Sequence, residues 1–253
     1  MSPASQKTKS TRPPPAGRDL IDTLVVANRV LFDHDVVDAF GHVSVRHDRD
    51  PTKFLMARHL APGLVTARDI VTFDLDANAV ANPAKRYYSE RFIHSEIYKH
   101  RPDVVAVVHC HAPPLIPFGA TRTPLQPVYH MSGFLGAGTP VFDVREAAGM
   151  TDMLIRTPAL GAALAETLAD KPLVLMRGHG ATIVGGGIPQ AVYRAIYARL
   201  NATLQMDALR LGTPIYLARE EAAKAAASID GSLERAWSLW ADVARAKMKG
   251  RRA

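Results

Sequence analysis

One α/β or α+β domain is predicted over residues 19–244 of this 253-residue chain, and three observations carry the prediction. Helical and strand periodicities interleave along the segment instead of falling into separate blocks. Val104–Cys110 is a run rich in β-branched residues, the pattern of a strand buried on both faces. No internal repeat and no linker divides the segment, and single α/β domains often reach this length.

The elements follow in order. Leu20, Leu24, Ala27, Val30 and Leu31 recur at helical spacing, predicting a helix from Asp19 to about Ala39 that Gly41 closes. Phe40–Arg46 alternates, with Val43 and Val45 on one face and His42, Ser44 and Arg46 on the other. Lys53–Ala57 and Ile70–Leu75 read as strands. Ser89 is placed to cap a helix running to His100, where Arg101-Pro102 ends it. After the buried strand, Pro113, Pro114 and Pro117 interrupt regular structure, and Pro127–Phe134 and Pro140–Asp143 are predicted as short strands. Thr157-Pro158 starts a helix with Leu160, Leu164 and Leu168 on one face. Leu173–Met176 and Thr182–Val184 are strands on either side of Arg177-Gly178-His179-Gly180. Gly185-Gly186-Gly187 leads into a long helix, Ile188–Leu211. A last helix from Ser232 stripes Leu233, Ala236, Trp237, Trp240 and Ala244, which suits packing against the body or a neighbouring subunit.

The net charge of +7 belongs to the ends. Residues 1–18 carry Lys7, Lys9, Arg12 and Arg18 without balancing acids before Asp19; residues 245–253 carry Arg245, Lys247, Lys249, Arg251 and Arg252. These nine charges exceed seven by two, so residues 19–244 sum to −2. The expectation is a disordered basic tail over 1–18, a single folded domain over 19–244 and a basic tail over 245–253. A nucleic-acid-binding body would carry a basic face of its own, so no specific nucleic-acid partner is expected. No apolar run approaches the ~18–20 residues of a membrane span. The N-terminus lacks signal-peptide order and Cys110 is the single cysteine, which together predict a cytoplasmic protein without disulfides.

Chemistry concentrates at Val107-Val108-His109-Cys110-His111. Residues i and i+2 of a strand project from one face, so His109 and His111 can chelate one ion while Cys110 points away as a small buried hydrophobe. Taken alone, the pair is equally two hydrogen-bonded histidines at a strand end. His179, flanked by Gly178 and Gly180, offers a third imidazole, which would complete a facial set with open positions for substrate. Glu90, at the start of the helix that leads into the His-x-His strand, is a candidate fourth ligand or acid/base. Standing alone it would be a first-turn residue complementing the helix dipole. His94, one turn after Glu90, suits a supporting or core position. Glu96, His34, His47 and His100 are expected at the surface, and His59 and His130 are ambiguous.

The order of these motifs resembles the class II aldolase/adducin superfamily: Gly41-His42-Val43-Ser44, then Ser89-Glu90 opening a helix with His94 and Ile97-Tyr98, then His109-x-His111, then Gly178-His179-Gly180. The resemblance spans roughly residues 20–220. It implies an α/β fold: a three-layer α/β/α sandwich around a mixed, mostly antiparallel sheet. It also implies a homo-oligomer, usually a fourfold tetramer with sites at subunit interfaces. One divalent metal per chain (Zn, Mn, Fe or Co) would sit on His109, His111 and His179, with Glu90 as a metal-associated acid/base.

The sugar-phosphate aldolases of that superfamily carry Asn where this chain has His42, a Thr-Gly turn after the next strand, and Ser-Ser before the glutamate. Here the corresponding segments read Ala57-Arg58-His59-Leu60-Ala61-Pro62 and Tyr88-Ser89. Tyr, His and Arg suit a planar substrate bearing carboxylate, since Arg recognises carboxylate through a bidentate fork. The chain looks closer to the subgroup that includes decarboxylases of hydroxylated aromatic dicarboxylates and iron-dependent oxygenases of hydroxyphenylpyruvate-type acids. Pro127-Val128-Tyr129-His130-Met131 and Phe142-Asp143-Val144-Arg145 fit that subgroup. The expected activity is metal-dependent, non-oxidative decarboxylation of a hydroxylated aromatic carboxylate, a small-molecule partner. Arg58 and His42 would grip a second carboxylate, and Ser44, Ser89 and Tyr129 would add hydrogen bonds. A class II (retro-)aldolase, a non-heme iron oxygenase and an adducin-like non-catalytic interaction module are the alternatives; the last is disfavoured by the presence of all three histidines and Glu90.

Overall fold

Residues 15–84 and 86–250 are described by the computed structural model, and their elements alternate as the sequence predicts. The order is α1 (Arg18–Asp33), β1 (His42–Arg46), β2 (Lys53–Ala57), β3 (Ile70–Asp74), β4 (Ala79–Ala81), α2 (Arg91–His100), β5 (Ala106–Cys110) and α3 (Ile116–Ala120). It continues with β6 (Val141–Phe142), α4 (Val144–Ala148), α5 (Pro158–Leu168), β7 (Leu173–Met176), β8 (Gly180–Gly185), α6 (Ile188–Leu211), α7 (Arg219–Asp230) and α8 (Leu233–Gly250). Among the described residues the strands form one eight-stranded sheet ordered β4-β3-β2-β1-β5-β8-β7-β6. The β6–β7 pair is parallel and the other neighbours are antiparallel.

Both faces of the sheet are covered, which gives the three-layer α/β/α sandwich. Val43, Val45 and Val108 join Leu24 and Leu31 of α1, Val192 and Ile196 of α6, and Trp237 of α8 in one core. Phe54, Phe73, Val107 and Val174 join Ile93 and Ile97 of α2 and Leu164 and Leu168 of α5 in the other. Each such aliphatic side chain contributes about 1.5–3 kcal/mol on burial. The cap-then-proline start of α5 forms as its sequence dictates, with Thr157 accepting from the Leu160 N–H. The two tryptophans pack on the body: Trp240 stands edge-on to His34 and lies near Tyr193.

Several elements differ from expectation. Helix α1 ends at Asp33 because Asp35 adopts φ 53°, so residues 34–39 leave the helix. Helix α2 begins at Arg91 with Glu90, not Ser89, at its N-cap, and no side chain caps it. The predicted strand over Pro127–Phe134 is instead a 3₁₀ segment, His130–Ala137. Helix α7 presses on that segment so closely that a Cβ on Gly133 would lie 2.4 Å from the Ala222 carbonyl oxygen. Helix α7 itself escaped prediction, since its Ala-rich sequence buries only Ala222 fully. Helix α8 continues through Arg245, Lys247 and Lys249 to Gly250, and Lys247 Nζ sits 3.1 Å from Asp33, so the expected C-terminal tail is helical there. Residues 1–14 and 251–253 of the two expected tails lie outside the described residues. Among the described residues no helix is long and apolar enough to cross a membrane.

Register brings the functional side chains to one end of the sheet. His42 at the start of β1 pairs with His109 near the end of β5, and Ala181 of β8 pairs with Cys110. The β7–β8 turn and the N-terminus of α2 arrive at the same end.

Candidate metal centre

Three elements bring together four side chains that could ligate a metal ion. His109 lies on β5 and His111 just beyond it; His179 lies in the β7–β8 turn, and Glu90 at the mouth of α2. The turn can deliver His179 because Gly178 takes φ 61°, a conformation that favours glycine. Gly180 then lets β8 approach β5: a Cβ there would sit 2.1 Å from the Cys110 carbonyl oxygen. His109 Nε2 is 3.1 Å from His111 Nε2, which is 3.0 Å from His179 Nε2. Glu90 Oε2 lies 3.7 Å from both His109 Nε2 and His179 Nε2. The four ligand atoms lie within 4.8 Å of one another.

The surroundings fix which ring nitrogens carry protons. His179 Nδ1 lies 3.0 Å from the Met153 carbonyl, so it bears the hydrogen and leaves Nε2 bare. The Thr182 hydroxyl donates to Met176 Sδ at 3.5 Å, so its oxygen accepts from His109 Nδ1–H at 3.2 Å, and His109 Nε2 is bare as well. Bare nitrogen lone pairs therefore converge on His111 and on a carboxylate oxygen. A divalent cation satisfies this arrangement, and the residues fit one; imidazole with carboxylate suits Zn, Mn, Fe or Co.

Burial, reinforced by neighbouring imidazoles, holds His109 well below its ordinary pKa and pushes His111 down to about 4. Both are thus neutral and competent as ligands at neutral pH. Burial raises the Glu90 carboxyl, against the opposing pull of His179 and of the Ile155 N–H. That N–H donates to Glu90 Oε1 at 2.9 Å, which leaves Oε2 facing the histidines.

A cavity of about 330 Å³ opens on this cluster, with His111 and Glu90 in its wall. Its other walls include Phe40, His42, His59, Leu60, Tyr88 and Ser89. The His42 and Tyr88 rings are in contact at 4.7 Å, and the Tyr88 hydroxyl donates to the Leu60 carbonyl. Of the predicted substrate residues, His42 and Ser89 line the cavity. Ser44 is buried beneath His42 and bonds to His94 and Tyr98. Arg58 is paired with Asp69 at 2.7 Å and faces a second cavity with Arg68 and Arg86. Tyr129 lies beside Tyr197 and is not part of the wall.

Leu60 is a wall residue with no role assigned from sequence; Tyr88, read there among the residues suited to a planar substrate, is in the wall, and His59, left ambiguous, lines both cavities. Thr182, Met153 and Ile155 act through backbone or a single hydroxyl, and nothing in their sequence setting marks them. Glu96, expected at the surface, is 5% exposed, its carboxylate held by Lys99. His47 is also buried, its Nδ1 accepting from the Arg49 N–H. Cys110 is a small buried side chain as predicted, its thiol pushed up to about 11 by burial.

Comparison with known proteins agrees with this geometry. The profile of the Class II Aldolase and Adducin N-terminal domain matches residues 22–206. Decarboxylase tropJ of Talaromyces stipitatus is 40% identical, over 87% of this chain and 92% of that protein. The 3,4-dihydroxyphthalate decarboxylase of Arthrobacter keyseri is 30% identical, over 76% and 79% respectively. Among solved structures, the L-fuculose 1-phosphate aldolase of Glaciozyma antarctica superposes with a TM-score of 0.77 at 21% identity, covering 95% of this chain and 96% of that one.

Proposed function

The chain belongs to the class II aldolase and adducin family and is an enzyme, and from that premise we propose that it is a metal-dependent, non-oxidative decarboxylase of a hydroxylated aromatic carboxylate. One observation carries the reading: a Glu/His₃ cluster meets, through His111 and Glu90, a cavity whose wall carries the rings of Phe40, His42, His59 and Tyr88 with Ser89 as its one hydroxyl side chain besides the tyrosine. Relatives named as decarboxylases, one of them of 3,4-dihydroxyphthalate, support it.

His109, His111 and His179 would hold one divalent cation, with Glu90 Oε2 as a fourth ligand until substrate takes its place and frees it to act as acid and base. When bound, that cation supplies Lewis acidity to the oxygen atoms that ligate it. Tyr88, Leu60 and Phe40 flank a planar ring and exclude water from it. As the ring-to-carboxylate bond breaks, CO₂ leaves and the bonding electron pair stays on the ring carbon. Glu90 then delivers a proton from Oε2 to that carbon, closing the balance with a new C–H bond, and regains its proton from water. Two features suit Glu90 to this step: burial raises its pKa, and the Ile155 N–H anchors only Oε1. Ser89 offers a hydrogen bond at the rim. Arg58, paired with Asp69 and lining the second cavity, would meet a second carboxylate only after exchanging partners. A cytoplasmic homo-oligomer, a tetramer, completes the reading; Leu204, Leu209, Leu211 and Ile215 expose apolar surface along and beyond the second half of α6.

The test is elemental analysis of the purified protein and its His109→Ala variant, with CO₂ release measured from 3,4-dihydroxyphthalate and related dicarboxylates. About one Mn, Zn or Co per chain, lost in the variant, with CO₂ released in the absence of oxygen, is the expected result. Iron with oxygen uptake would replace the reading by an oxygenase. Cleavage of L-fuculose 1-phosphate without CO₂ release would replace it by an aldolase. No metal in either protein would refute it in favour of an interaction module.

A further inference from the structure

We propose that His42 meets the substrate as a hydrogen-bond acceptor for a ring hydroxyl, its polarity set from inside the protein by a buried relay through His94, Ser44 and Tyr98. The inference rests on the decarboxylase reading for the substrate, and on the fold alone for the relay. It gives His42 a hydroxyl as partner in place of the second carboxylate expected from sequence.

The relay is continuous. His42 Nδ1 is 2.7 Å from His94 Nε2, and His94 Nδ1 is 2.6 Å from Ser44 Oγ. Ser44 Oγ is 2.8 Å from the Tyr98 hydroxyl, which lies 3.4 Å from the Val105 carbonyl. His94, Ser44 and Tyr98 are at most 1% exposed, whereas His42 forms part of the cavity wall. With Nδ1 committed to His94, the only nitrogen His42 can offer the cavity is Nε2, which makes no hydrogen bond among the described residues.

Counting hydrogens selects the direction. Each of the four neutral side chains carries one polar hydrogen. In one setting His42 donates to His94, His94 to Ser44, Ser44 to Tyr98 and Tyr98 to the Val105 carbonyl: four internal bonds, with Nε2 of His42 left bare. In the reverse setting Tyr98 donates to Ser44, Ser44 to His94 and His94 to His42: three internal bonds, with an N–H aimed into the cavity. The first setting makes one more bond and uses the carbonyl at the end of the chain; that bond is long at 3.4 Å, so the preference is at most about 1 kcal/mol. The chain ends at a carbonyl, which cannot take a proton onward, so the relay orients His42 and does not conduct. A bare nitrogen accepts from a phenolic hydroxyl and repels a carboxylate or an ether oxygen. His94, Ser44 and Tyr98 are therefore positioning residues that act on substrate through His42.

Tyr98→Phe tests this from deep within the relay. Without the phenol oxygen each setting keeps two internal bonds, but the first leaves the buried Ser44 hydrogen unpartnered, so the reverse setting becomes the preferred one and His42 presents N–H to the cavity. The first readout is nitrogen NMR of the histidine rings in the zinc-loaded protein, with His42→Asn used for assignment. His42 Nε2 should resonate as a bare nitrogen in the wild type and as N–H in Tyr98→Phe. The second is kcat/KM for 3,4-dihydroxyphthalate relative to its mono-O-methyl ethers. The preference for hydroxyl over ether should shrink about tenfold in Tyr98→Phe, and likewise in His94→Phe. An N–H at His42 Nε2 in the wild type, or equal losses on both substrates in both variants, would overturn the proposal. Absence of any decarboxylation would instead remove the functional reading, and the NMR result would still decide the relay.

Discussion

Acid should destabilise the metal-free protein through its interior imidazoles, and His94 sets the scale. Its two nitrogens are occupied by His42 and Ser44, and burial pushes its pKa down from 6.5 to about 3. The unfolded chain therefore binds a proton at this site first. The stability involved is complete above pH 6.5 and is lost as pH falls toward 3. The slope from one such group approaches about 1.4 kcal/mol per pH unit, so near pH 5 His94 alone removes about 2 kcal/mol. That is a large part of a typical total of about 5–15 kcal/mol. His42 and His109 are shifted in the same direction and steepen the loss. Glu90, raised in the folded state, works the other way: it gains a proton on folding and partly offsets the loss as pH falls toward 4.5. Urea unfolding followed through Trp237 and Trp240, in chelator, from pH 7.5 to 4.5, measures the sum. The midpoint should fall continuously below pH 6.5, and more gently in His94→Gln, which starts lower. A wild-type midpoint flat between pH 7 and 5 would refute the reasoning.

Other perturbations separate the parts of the site. Glu90→Gln keeps an acceptor for the Ile155 N–H but removes the transferable proton; kcat should drop about 10²–10⁴-fold while elemental analysis still finds metal on the three histidines. Thr182→Val removes the oxygen that orients His109, and chelator competition should show metal affinity weakened about 10–100-fold with the fold intact. Gly180→Ala would force a Cβ to within 2.1 Å of the Cys110 carbonyl oxygen; the β5–β8 pair must part, costing about 1–3 kcal/mol or more in thermal unfolding, with metal lost alongside.

The clustering of His109, His111 and His179 was legible because strand geometry makes His-x-His a unit and flanking glycines mark an unusual turn at His179. The layered fold was legible because two apolar cores require apolar residues on both faces of the sheet, as Val107 and Val108 show. What supports the ligands was hidden for a physical reason. Met153 and Ile155 contribute a backbone carbonyl and a backbone N–H, which any residue other than proline could supply. Helix α7 was hidden because alanines and charges alone carry no apolar stripe, and the closeness of its approach to Gly133 is a property of the partner.

Ser44 exposes the limit of alternation as a guide. His42 and Ser44 were rightly placed on the face opposite Val43 and Val45, but that face is also interior, covered by α2. A buried polar side chain must find partners, and α2 provides them at His94 and Tyr98, one helical turn apart. Of the positions read as departing from the sugar-phosphate aldolases, His42, His59 and Tyr88 lie in the wall of one cavity, whereas Arg58 faces the second. The four candidate ligands, His109, His111, His179 and Glu90, match the motifs by which the chain resembles the superfamily, and His111 and Glu90 face the same cavity. On the proposed reading, chemistry common to the family falls to the Glu/His₃ cluster and substrate choice particular to this chain to the rings around the cavity. Substitutions in the relay should therefore change which substrate is turned over before they change whether metal is held.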